Sequence, residues 1–171
     1  MPLHRYAIAI GSNRWHGRHG APRDVVRASV VAMERNGLSV SAHSSIMLTA
    51  ALGPAGRSFA NAAIIVSTEL DPPALLRLLK TIERAFGRRR GRRWGSRVLD
   101  LDIALWSGGR HRSGRPRLTI PHRELEKRLF VLVPLLRIAP DWRIGDGPLR
   151  VRHAAARLSA PRRVDRHGLG Q

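Results

Sequence analysis

Apolar and polar residues alternate and recur along this chain in a pattern that predicts its elements in order. Tyr6-Ala7-Ile8-Ala9-Ile10 is short, apolar and followed by Gly11-Ser12-Asn13, which predicts a buried strand ending in a turn. Asp24 then precedes Val25, Val26, Ala28, Ser29, Val30, Ala32 and Met33 at helical spacing, with Asn36-Gly37 behind them. A helix over 23–35, capped in front by Asp24, is expected. Leu38 to Thr49 alternates loosely, and Ala60 to Glu69 carries Ile64, Ile65, Val66 and Thr68, so two strands flank a loop containing Gly53-Pro54 and Gly56. Asp71-Pro72-Pro73 is a strong helix start, because proline in the first turn gives up only an N–H that had no partner in the helix. Leu75, Leu78, Leu79, Ile82 and Phe86 follow at helical spacing, and Gly87 closes the element.

After a basic loop from Arg88 to Arg97, Val98 to Trp106 sets Leu99, Leu101 and Ile103 against Asp100 and Asp102, as in a strand with one wet face. Ser107 to Arg117 reads as a Gly/Arg/Ser-rich turn, Leu118 to Ile120 as a short strand and Arg123 to Arg128 as a helical turn. Phe130 to Ile138 reads as an apolar core element ended by Pro140. The order β-α-β-β-α-β is that of a ferredoxin-like α+β core, here with additional C-terminal elements. The expected organisation is one domain over residues 1–148 and a weakly ordered basic tail over 149–171, where arginines outnumber large apolar residues.

Composition narrows the class. With no cysteine among 171 residues, disulfides, thiolate metal sites and a cysteine nucleophile are all excluded. A hydrophobic fraction of 43% predicts a folded core despite a formal charge of +19. No apolar run approaches the ~20 residues that span a bilayer, and the first residues lack the apolar centre of a secretory signal, so a soluble, cytoplasmic protein is expected. The positive charge is almost all arginine, with Lys80 and Lys127 the only lysines. That bias suits bidentate phosphate contacts and is equally what GC-rich codon usage supplies.

Asp100 and Asp102 share one face of their strand, about 6.5 Å apart along it, a spacing that suits oxygen ligation of divalent ions. An isolated Asp-x-Asp more often lines a solvated face. Here the pair follows Arg88, Arg90, Arg92, Arg93 and Arg97 on a glycine-punctuated loop that also carries Trp94. Metal-holding carboxylates beside guanidinium groups are equipment for gripping a polyphosphate. No P-loop or dinucleotide fingerprint accompanies them. His122, Phe59 and Asn61 taken singly are as compatible with structural roles as with a phosphate donor, a stacking ring and an amide partner.

Gly11-Ser12-Asn13, Phe59-x-Asn61-Ala62, Arg93-Trp94-Gly95-Ser96-Arg97-Val98-Leu99-Asp100-Leu101-Asp102-Ile103, and Arg117-Leu118-Thr119-Ile120-Pro121-His122 with Arg128-x-Phe130 occur in that order. Together they closely resemble the 6-hydroxymethyl-7,8-dihydropterin pyrophosphokinase family over about residues 5–145. The resemblance implies Mg²⁺-dependent transfer of pyrophosphate from ATP to the pterin hydroxymethyl group in folate biosynthesis, with release of AMP. It implies that Asp100 and Asp102 hold two Mg²⁺ ions, and that Arg88, Arg90 and Arg97 join them in catalysis. Glu83, Arg93, Trp94, Ile103, Arg117, Thr119, His122 and Arg128 fall at nucleotide-binding positions, and Thr49, Leu52, Phe59, Asn61 and Phe130 at pterin-binding ones. The implied partners are ATP and a dihydropterin, to a monomer, with neither membrane nor nucleic acid expected. Where the family usually has Thr-Pro-Pro, this chain has Thr49-Ala50-Ala51, which predicts a looser loop before substrate arrives. The competing classes are a catalytically impaired relative and a basic nucleic-acid-binding module. Aromatics at 5% do not form a stacking series, and the acid pair has no use against a phosphate backbone.

Overall fold

The computed structural model describes residues 2–49, 59–87 and 98–160. β1 (His4–Ser12) is followed by α1 (Pro22–Arg35), β2 (Ser39–His43), β3 (Met47–Thr49), β4 (Phe59–Thr68), α2 (Pro72–Ala85) and β5 (Asp100–Trp106). β6 (His111–Gly114), β7 (Arg117–Ile120), a 3₁₀ turn at Leu125–Lys127, α3 (Leu129–Ile138) and α4 (Val151–Ser159) complete the chain. The main sheet is antiparallel in the order β2-β4-β1-β5, with β3 pairing the other end of the same side of β4. This is the expected ferredoxin-like arrangement with C-terminal additions.

Period-two alternation divides the sheet into two buried faces. Tyr6, Ile8 and Ile10 of β1, Ile64 and Val66 of β4, and Leu101 and Ile103 of β5 pack beneath Val25, Val26 and Met33 of α1 and Leu75, Leu79 and Ile82 of α2. The opposite face carries smaller side chains, Ala7, Ala63 and Ala104 with Ile65 and Leu105, against Leu132 and Leu135 of α3 and Val151, Ala154 and Ala155 of α4. α2 starts as its sequence predicts: Asp71 Oδ1 accepts the Ala74 N–H at 2.7 Å, and proline fills the first helical position. Gly37 and Gly87, which follow α1 and α2, take φ of 85° and 82°, a left-handed conformation that disfavours side chains.

The structure differs from the sequence reading at four elements. The single strand expected over Leu38–Thr49 is two, β2 and β3, which pair with different lengths of β4. Asp24 is not the cap of α1; the helix begins at Pro22, and Asp24 sits in its first turn, 3.2 Å from Arg27. A carboxylate there still favours the positive helix end. The stretch 107–117 is not merely a turn, because His111–Gly114 pairs with Arg117–Ile120 as a hairpin. Its strand β6 has no apolar alternation to reveal it. Residues 151–159 form a helix rather than weakly ordered tail, since Val151, Ala154 and Ala155 make one buried stripe while Arg152 and Arg157 stay exposed. Alanines suffice because α4 lies close to α3. Residues 161–171 lie outside the described part, as do the loop 50–58 and the arginine-rich segment 88–97.

Candidate active site

Strand register assembles the site. Gly11 of β1 lies opposite Asn61 of β4 on one side and Asp100 of β5 on the other. Two residues earlier, Ala9 lies opposite Ala63 and Asp102. Directly paired residues share a sheet face, so Phe59, Asn61, Gly11, Asp100 and Asp102 all project to the side that carries α3 and α4. Thr49 pairs with Phe59 in register, and its Oγ1 accepts the Asn61 amide at 3.3 Å. That bond orients a buried amide on this face. Gly11 keeps the floor between Asn61 and Asp100 flat; a Cβ there would stand 3.5 Å from Asn61 Oδ1.

Two phenylalanine rings are left partly uncovered, Phe59 at 38% and Phe130 at 39% exposure, although both belong to elements packed on the second core. Phe130 lies in the first turn of α3, with the Arg128 guanidinium 5.6 Å from its ring centroid. Such rings at a sheet surface offer a planar heterocycle something to stack on.

Asp102 sits between two nitrogen groups. His122 Nε2 lies 3.9 Å from its Oδ2, and Lys80 Nζ lies 3.9 Å from its Oδ1. His122 is held beside β5 by its backbone N–H, which donates to Ala104 O at 3.0 Å. Its Nδ1 accepts the Glu124 N–H at 3.3 Å, an arrangement that leaves Nε2 to carry the ring proton toward the carboxylate. Among the described residues no group of three or more His, Asp or Glu could enclose a metal. Two carboxylates on one face are the donor set of an ion that takes its remaining ligands from phosphate oxygens and water, as Mg²⁺ does.

The other predicted residues divide. Glu83 is fully buried: its Oε1 accepts the Leu101 N–H at 2.7 Å and the Lys80 ammonium at 2.7 Å, which ties this oxygen to strand β5. The Ile103 side chain is in the core beneath α1 and α2, leaving only its main chain to meet a nucleotide. Arg117 and Thr119 lie on β7, in the two-stranded sheet, with Arg117 exposed. Leu52, Arg88, Arg90, Arg93, Trp94 and Arg97 lie outside the described residues. Sequence reasoning missed Lys80, whose only signal was its position three residues before Glu83 on one helix face. A cavity of about 560 Å³ on the α1 side of the sheet, lined by Arg23, Arg27 and His43 among others, has no carboxylate in its walls.

Residues 7–140 match the model of the family described as 7,8-dihydro-6-hydroxymethylpterin-pyrophosphokinase. The 2-amino-4-hydroxy-6-hydroxymethyldihydropteridine pyrophosphokinase of Pseudomonas aeruginosa is 39% identical over 160 residues, which cover 92% of each chain. The protein of the same name from Methylorubrum extorquens is 48% identical over 100 residues, 58% of this chain and 61% of its own. Among solved structures, Plasmodium falciparum HPPK-DHPS with pteroate superposes on 91% of this chain and 42% of its own, with a TM-score of 0.65 and 11% identity, a likeness of fold. With a family match over most of its length and a relative aligned nearly end to end, this chain belongs to the 7,8-dihydro-6-hydroxymethylpterin pyrophosphokinase family of diphosphotransferases.

Proposed function

We propose that this protein transfers the terminal pyrophosphoryl group of ATP to the hydroxymethyl oxygen of 6-hydroxymethyl-7,8-dihydropterin, releasing AMP, within folate biosynthesis. The observation that carries the reading is the cross-strand row Asn61–Gly11–Asp100, with Phe59 and Asp102 on the same face. It sets an amide and an uncovered ring one strand away from a carboxylate pair. A heterocycle stacked on Phe59 with its edge against Asn61 then directs its substituent toward Asp100 and Asp102. Phe130 supplies the second ring by family resemblance.

In the reaction the pterin hydroxyl oxygen forms a bond to the β-phosphorus of ATP. The bond from that phosphorus to the α–β bridging oxygen breaks, AMP departs with the electron pair, and the hydroxyl proton passes to solvent. Asp100 and Asp102 are the residues that would hold Mg²⁺, which supplies charge neutralisation for the phosphate oxygens when bound. Two carboxylates on one strand face fit that ion, which takes its remaining ligands from phosphate oxygens and water. His122, from its station beside Asp102, donates to a phosphate oxygen; Arg128, whose guanidinium lies over the Phe130 ring, belongs to the nucleotide side by resemblance. Thr49 orients Asn61. Thr119 and Arg117 of β7, the main chain at Ile103 and the buried Glu83 contribute to the nucleotide side by resemblance. Leu52 belongs to the pterin side, and Arg88, Arg90, Arg93, Trp94 and Arg97 to the phosphates, on the same ground. Among the described residues no helix is long and apolar enough to cross a membrane; we read the protein as a cytoplasmic monomer acting on small molecules.

The test is AMP formation from ATP, Mg²⁺ and the dihydropterin by the purified protein. We expect pterin-dependent AMP that falls by at least about 10³-fold in Asp102→Ala, since the lost contact acts on charge that develops in the transition state. Nucleotide binding with no pterin-dependent AMP would point instead to an impaired family member. Near-normal turnover of the Asp102 variant would remove the carboxylate assignment.

A further inference from the structure

We propose that Lys80 is a built-in counter-ion of Asp102, a positioning residue whose charge sets how tightly the carboxylate pair takes up a divalent cation. The inference rests on the reading of Asp100 and Asp102 as ion-holding groups and concerns a residue outside that assignment.

Lys80 is one of two lysines among 31 basic residues, and its position explains why an ammonium rather than a guanidinium stands there. β5 is an edge strand of the main sheet, so the Leu101 N–H and C=O point away from β1. Both are satisfied from α2. Glu83 Oε1 accepts the Leu101 N–H at 2.7 Å, and Lys80 Nζ donates to the Leu101 carbonyl at 3.1 Å. Nζ also donates to Glu83 Oε1 at 2.7 Å, which closes the loop. Two of the three ammonium protons are thereby committed, and the group is held 3.9 Å from Asp102 Oδ1. That separation is too long for a hydrogen bond, so the interaction with Asp102 is one of charge. A planar guanidinium spreads its charge over three nitrogens, whereas the ammonium fixes it at one point.

Lys80 is 35% exposed, yet it is not a free surface lysine, because its partner Glu83 is wholly buried. The same charge serves two acids, and the other side of Asp102 faces His122. A divalent cation arriving at Asp102 comes up against the fixed ammonium. The resident charge therefore neutralises Asp102 while no cation is bound and weakens cation uptake by the protein alone. Phosphate oxygens, once present, meet the same positive charge favourably. Loading is thus biased toward the ion that arrives with its phosphates.

The experiment is Mn²⁺ titration of the nucleotide-free full chain followed by electron paramagnetic resonance, with circular dichroism as a check on folding. Lys80→Gln keeps a donor for Leu101 and removes the charge; Lys80→Arg keeps the charge. We expect Lys80→Gln to bind Mn²⁺ about three- to tenfold more tightly than the unaltered protein, the scale of one partly screened charge at this range. Lys80→Arg should stay within about twofold, the residual allowing for its different geometry, and Asp102→Asn should lose the bound signal. A residue that only caps the strand edge would lower stability in both Lys80 variants and leave Mn²⁺ affinity unmoved. That result, with binding still abolished in Asp102→Asn, overturns the Lys80 inference and leaves the metal assignment standing. Absence of any Asp102-dependent Mn²⁺ binding in the unaltered protein overturns both.

Discussion

Gly11 illustrates what a single residue decides in this molecule. In a strand a glycine normally weakens packing, and a β-branched residue would suit the backbone better. Its place between Asn61 and Asp100 gives the reason for its absence of side chain. Since a Cβ would be at ordinary contact distance from Asn61 Oδ1, the fold accepts substitution; the space above the floor does not. Gly11→Val should therefore melt within a few degrees of the unaltered protein and bind the dihydropterin about tenfold or more weakly, the scale of misplaced methyl groups in a shaped pocket. Pterin fluorescence titration beside a thermal melt makes the comparison. Unchanged affinity would mean that the heterocycle sits away from the Asn61–Asp100 row. The Gly-Ser-Asn motif was legible as a strand end, whereas the partners across it were not, because register belongs to pairing and not to the local chain.

At the scale of elements, α2 and α4 stand at opposite ends of legibility. α2 carries Asp-Pro-Pro, an apolar stripe and a closing glycine, all of which agree with its tertiary role. α4 offers alanines and arginines, a composition that predicts little burial, yet its stripe joins the second core, packed on α3 and the 3₁₀ turn. Its contribution depends on close approach, which small residues allow and sequence hydrophobicity does not advertise. Ala155→Leu should destabilise the protein by about 1–3 kcal/mol through overpacking, while Arg157→Ala should change it by less than about 0.5 kcal/mol. Urea unfolding of the two variants separates a packed helix from an unstructured tail, in which both substitutions would be silent. β6 escaped notice for a related reason, since a polar hairpin strand is defined by its partner β7 alone.

For the whole molecule, the single tyrosine ties the first strand to the connection into α2. Tyr6 is fully buried, and its hydroxyl donates to Leu70 O at 2.8 Å. Burial, and secondarily the negative charge of Asp71, push its ionisation well above the usual tyrosine range. The folded chain thus keeps a proton that the unfolded chain releases above about pH 10. Stability from this group is complete below that pH and declines as pH rises beyond it. Tyr6→Phe should cost about 1 kcal/mol at neutral pH and flatten the alkaline decline of the unfolding free energy. Denaturant unfolding between pH 8 and about pH 11 reads both effects, and tyrosinate absorbance follows the one phenol directly. A decline of equal slope in the variant would assign alkaline unfolding to other groups.

The sequence alone determined the β-α-β-β-α-β order, the acid pair on one strand face and the family resemblance, because each depends on local periodicity or on residues close in the chain. Tertiary structure decided what those residues meet. Asn61 and Asp100 are separated by 39 positions and become neighbours across Gly11 only through strand pairing. Glu83, a charged residue on a helix, is buried because an edge strand needs its N–H satisfied. Lys80 acquires its place beside Asp102 from that same contact. Periodicity specifies which way a side chain faces along its own element; only packing of one element on another supplies its partners.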